Sequence, residues 1–103
     1  MDRLEALKEI VESSPKDSFA RYGLAMEFAS RGFNAEALQQ FDLLLENDPE
    51  YTAGYLMSAQ ILAEQGRSAE AATRLKLGVE CAAREGNSHA VSKMQTMLDE
   101  LKP

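Results

Sequence analysis

Two side chains in this sequence carry the intrinsic reactivity of a base or nucleophile near neutral pH: His89, the only histidine, and Cys81, the only cysteine. A metal centre would need further donors, and no Cys or His stands within ligand spacing of His89. Glu36 and Glu70 recur thirty-four residues apart, each in the first turn of a helix-patterned segment. A negative charge there favours the N-terminal dipole, so their recurrence implies no paired catalytic acids. No Gly-rich phosphate loop, nucleophile elbow or metal-ligand cluster occurs in the chain. The residues therefore predict a protein that is not an enzyme and takes no cofactor or metal. His89 reads as a packing or capping residue, and Cys81, near Val79 and Ala82, as a small buried hydrophobe.

With 103 residues and 45% hydrophobic content, the chain is too apolar and too mixed in charge to stay disordered, and too short for two domains. Eleven Lys and Arg against seventeen Asp and Glu leave a net charge of −6, which repels phosphate backbones and anionic headgroups. Nucleic acid and membranes are thus not expected partners. The excess lies in residues 1–51, with eleven acids and five bases, while residues 52–103 carry six of each. The start, Met1-Asp2-Arg3-Leu4-Glu5, has no apolar stretch after it of the kind a secretory signal needs. A lone cysteine closes no intramolecular disulfide, so the cytoplasm is the expected compartment.

The elements that must position these residues come from an internal repeat. Placed without gaps, 18–51 over 52–85 gives eight identical pairs, among them Ala25/Ala59, Gly32/Gly66, Glu36/Glu70 and Ala37/Ala71. Phe28/Leu62 and Phe41/Leu75 keep their apolar character. Within each copy the apolar residues recur at helical spacing in two segments. Between them, Gly32-Phe33-Asn34 and Gly66-Arg67-Ser68 place Gly at a left-handed position and Asn or Ser where it can cap the next helix. Pro49 ends the first hairpin, and Thr52 is expected to cap the following helix. Residues 2–13 form a further amphipathic helix through Leu4, Leu7, Ile10 and Val11, and 87–101 another through Val91, Met94, Met97, Leu98 and Leu101. The result is one domain, 1–103, of six antiparallel helices, the outer two acting as caps.

These residues resemble the tetratricopeptide repeat, whose pattern is W-x2-L-G-x2-Y, then A-x3-F, then P. The first copy reads Arg21-x2-Leu24-Ala25-x2-Phe28, Ala37-x3-Phe41 and Pro49, departing at its opening residue. The second reads Tyr55-x2-Ser58-Ala59-x2-Leu62 and Ala71-x3-Leu75, with Ala83 where the proline would fall, which permits a longer helix over 68–85. A Sel1-type repeat and a generic helical bundle are the alternatives. The resemblance implies an all-α, right-handed solenoid of helical hairpins, like a small bacterial-type two-repeat chain with capping helices. It also implies a scaffold that binds a protein or peptide in a concave groove lined by the first helix of each hairpin.

The family's carboxylate clamp of Lys, Asn and Arg is missing, since the first helices carry Tyr22, Gly23 and Met26, then Leu56, Met57 and Gln60. The groove candidates are instead Phe19, Tyr22, Met26, Leu56 and Gln60 and, by phase, Ala90 and Met94, an apolar surface suited to a hydrophobic peptide or amphipathic helix. The competing reading is a self-associating subunit of a larger assembly, with a homodimer as its simplest form. Deleting residues 87–103 should expose the apolar face of the second hairpin. The shortened chain is expected to aggregate or melt far lower, as light scattering and a thermal melt would show; an equally stable monomer would contradict a capping role.

Overall fold

The computed structural model describes residues 2–101; Met1, Lys102 and Pro103 of the expected 1–103 span lie outside the described residues. Among these residues there are six α-helices and no strands: α1 (Arg3–Ser13), α2 (Ser18–Ser30), α3 (Asn34–Asn47), α4 (Thr52–Glu64), α5 (Ser68–Arg84) and α6 (Ser88–Glu100). The chain, read above as one domain, packs as two compact units, Met1–Pro49 and Glu50–Pro103. α5 has 17 residues against 14 for its counterpart α3, as expected where Ala83 replaces the helix-ending proline.

Helix ends follow local chemistry. Asp2, Asp17 and Asn87 each accept a backbone N–H of the helix they precede, from Leu4, Ala20 and Ala90 respectively, which satisfies an otherwise orphaned donor. The expected caps at Asn34, Ser68 and Thr52 are not formed. These residues already lie inside α3, α5 and α4, whose capping positions are Phe33, Arg67 and Tyr51 with no side-chain hydrogen bond to the helix. For Asn34 and Ser68 the reason is the preceding glycine turn. Gly32 has φ +80°, its N–H reaches Ala29 O, and Phe33 N–H reaches Phe28 O, a Schellman closure so tight that the next helix begins one residue earlier. Gly66 and Arg67 repeat it on Ala63 and Leu62.

In the first unit, α2 and α3 meet over Ala25 and Ala37, both wholly buried, so the backbones come close and Phe41 and Leu44 fill the space beside them. Arg21, which departs from the repeat pattern, is buried as well. Its guanidinium donates to Gln40 Oε1 at 2.7 Å and to the Pro15 carbonyl at 2.8 Å, tying α3 and the turn before α2 to one side chain. α1 packs on α2 through Leu4 and Val11, and Ile10, expected on the same stripe, is 48% exposed. Surface pairs from Arg3 to Glu27 and from Arg31 to Asp2 join the two helices, with Arg31 also paired to Glu27 one turn back on α2, although such pairs contribute little individually.

The second unit repeats the seam with Ala59, Ala71 and Leu75, all wholly buried. Here the buried polar contact is rearranged: Ser58 donates to Gly54 O at 2.7 Å and accepts from Arg74 Nη1 at 3.3 Å. Arg74 stands at the position of Gln40, so the arginine of this contact sits on the second helix of this hairpin and on the first helix of the other. Replacing Ala59 with Leu should cost about 1–3 kcal/mol, because the seam has no room for added methylenes. Chemical denaturation would measure it, and an unchanged midpoint would contradict the close approach.

Candidate functional site

The predicted groove residues do not share one environment. On α2, Phe19 stands in the first turn and is 76% exposed, while Tyr22 and Met26 are half-buried. Tyr22 presents its ring edge-on to Phe41 with centroids 6.2 Å apart, so it also braces the core of its hairpin. On α4, Leu56 and Gln60 are half-buried, and Leu56 packs against the core of its unit.

Met94 is a correction. It was assigned to the groove by phase, yet it is wholly buried at 0% exposure. The cause is Gly78 on α5, where a Cβ would fall 2.5 Å from Met94 Sδ and 2.9 Å from Tyr55 Cβ. The missing side chain makes the hole that Met94 of α6 fills, locking the last helix onto the second hairpin. His89 is a second correction, because it is exposed, whereas Tyr55 one repeat earlier is buried. Cys81 is wholly buried, as its neighbours suggested.

What the second unit does present is a cleft of about 480 Å³. Its apolar lining comes from Ala53, Leu56 and Ala90, and its polar lining from Glu50, Tyr51, Thr52, Glu85 and Asn87. Of these, sequence reasoning named only Leu56 and Ala90 as groove residues, and Thr52 as a helix cap. The signal that would have found the rest is the pair Phe19/Ala53: a bulky aromatic in one copy is a methyl in the other, and the cleft occupies the difference.

Arg84 donates to both carboxylate oxygens of Glu50, at 3.1 and 2.7 Å, and holds that carboxyl below the usual carboxylate range. The Thr52 hydroxyl donates to the Glu85 carboxylate and lies 3.0 Å from Cys81 Sγ. Burial pushes the Cys81 thiol up, with the Thr52 contact working the other way and the hydrogen bond to Glu85 adding to the rise. Such a thiol is a poor nucleophile. Among the described residues no group of three His, Cys, Asp or Glu is placed to hold a metal ion, and no helix is long and apolar enough to cross a membrane.

No protein-family model matches the chain. It is similar to a TPR repeat-containing protein of Pseudomonas aeruginosa, at 24% identity over 98 residues, covering 95% of this chain and 93% of that protein. The solution structure of a tetratricopeptide repeat domain protein from Salinibacter ruber matches it with a TM-score of 0.81 and 29% identity, over 86% of this chain and 90% of that one. The TPR2B domain of yeast Sti1, in its complex with pHsp70, matches in fold with a TM-score of 0.88 at 18% identity, over 95% of this chain and 78% of that one. With six helices in the order and phase described, the chain is an all-α protein with a tetratricopeptide-repeat-like fold.

The raised Cys81 thiol gives a pH dependence with a definite sign. Above the ordinary thiol value of 9.0 the unfolded chain releases this proton while the folded chain keeps it, so stability falls as pH rises. Denaturation at about pH 8 and about pH 10 should show that fall, and Cys81→Ala should reduce it. An identical pH profile in the variant would contradict the assignment.

Proposed function

We propose that this chain is a non-catalytic adaptor that captures a peptide or helix of a partner protein on the apolar first-helix surfaces of its hairpins. α2 offers Phe19, Tyr22 and Met26, and α4 offers Leu56 and Gln60 beside the cleft. The observation that carries the reading is this accessible apolar lining: an open cleft of about 480 Å³ over Ala53, Leu56 and Ala90, and a first-turn phenylalanine left 76% exposed. An apolar cleft rimmed by a few polar groups marks a surface that a partner covers. The Sti1 domain, whose fold the chain shares, is seen in complex with pHsp70, which supports a protein or peptide as the class of partner. A single buried cysteine with a raised thiol pKa supports, within the same proposal, a cytoplasmic setting and no nucleophilic chemistry. Work as one domain belongs to the proposal too.

Self-association is the second reading, favoured by Phe19 alone, because an aromatic so exposed can cover a second copy as well as a partner. Selection from a random peptide library against the intact chain tests the adaptor. Apolar peptides should be enriched, and Phe19→Ala or Ala53→Phe should each weaken capture severalfold while changing stability by less than about 0.5 kcal/mol. Ala53→Phe places in the second copy the residue that the first already holds, so it is expected to fold. Absence of enrichment, or capture indifferent to both substitutions, would overturn the adaptor reading.

A further inference from the structure

We infer that the segment seated in the second unit's cleft is cationic: an apolar side chain enters against Ala53, Leu56 and Ala90, and a lysine or arginine beside it pairs with Glu85. This rests on the adaptor reading and adds the chemistry of the partner. Both charged residues lining the cleft, Glu50 and Glu85, are acids. They differ in how they are compensated. Glu50 is held by Arg84 through two hydrogen bonds. The partners of Glu85 are the neutral Thr52 hydroxyl and Cys81 thiol, which orient its carboxylate without cancelling its charge. A negative charge fixed next to an apolar wall and, among the described residues, left without a countercharge is a preorganised acceptor for one cation, and partial exclusion of water on docking strengthens the pair.

The net charge of the whole chain has the same sign: −6 favours the long-range approach of a basic segment over an acidic one, although the excess lies in residues 1–51 and residues 52–103 carry six acids and six bases. The first-helix positions that could carry a basic clamp hold Leu56, Met57 and Gln60 instead. A second copy offers Phe19 with Lys16 three residues before it, an aromatic and a cation at suitable spacing, but it brings the same −6 and is repelled at long range. Charge therefore favours a foreign basic segment over a second copy.

The same library selection, read for charge, tests this. Peptides captured by the intact chain should carry Lys or Arg next to an apolar residue, and Ala53→Phe should remove them. Glu85→Gln should keep the apolar preference, lower affinity for the selected basic peptide about tenfold, and flatten its dependence on salt. If Glu85→Gln melts early, the salt titration of the unaltered chain decides: affinity falling with added salt supports the pair, and affinity indifferent to salt overturns it. Neutral or acidic peptides still displaced by Ala53→Phe would overturn the cationic partner and leave the adaptor standing, whereas no enrichment at all would remove the adaptor itself. A dimer in sedimentation that Ala53→Phe dissolves would overturn the inference in favour of a second copy.

Discussion

Every other feature of each hairpin depends on how closely its two helices approach. Ala25 against Ala37, and Ala59 against Ala71, bring the backbones together with no side-chain atoms between them beyond a methyl. That approach sets which neighbours are swallowed: Phe41 and Leu75, one turn beyond Ala37 and Ala71, become wholly buried because the seam closes over them. Each glycine turn is the covalent counterpart of the same constraint. A reversal as short as Ser30 to Asn34 needs a residue at positive φ, and Gly32 and Gly66 supply it at no steric cost.

The buried polar contacts show how two diverged copies keep one geometry. In the first, Arg21 on α2 reaches Gln40 on α3; in the second, Arg74 on α5 reaches Ser58 on α4. One arginine per hairpin lies across the helix pair, and the residue opposite has changed to accept it. Burying a guanidinium without an acceptor would cost several kcal/mol, so donor and acceptor positions are linked. Tyr55 then takes the place of Arg21 with its ring buried, and burial pushes its phenol pKa up.

Small side chains serve two purposes in the second unit. Gly78 leaves a hole on α5 that Met94 fills, and the hole is what docks α6. Ala53 leaves a hole at the head of α4 that no side chain of the unit's described residues fills, and that one is the cleft. The difference is reach. Met94 stands on a helix packed on α5 and has a long flexible side chain, whereas the residues around Ala53 are Thr52, already bonded to Glu85, and Ala90, which is too short.

Sequence alone determined the period, the six helices and their turns at Gly32 and Gly66. These properties are local or repeat-bound: a 3.6-residue pattern and a spacing of thirty-four are written in residue order. Resemblance of pattern also led to the fold class. Tertiary structure decided which residues of the first-helix face stay in water. Phase assigns Met26, Gln60 and Met94 one role, but Gly78, sixteen residues before Met94, draws only the last of them into the core. His89, read from the sequence as a packing or capping residue, is likewise left exposed on the last helix. The caps at Asn34 and Ser68 failed for a similar reason, because the hydrogen bonds closing the turns at Gly32 and Gly66 moved the helix starts. A cleft is a missing volume, and the pairing of Thr52 with Glu85 joins residues thirty-three apart, one at the start of α4 and one just past the end of α5. Neither is a property of residue order; both exist only once packing has fixed which neighbours are too short to meet.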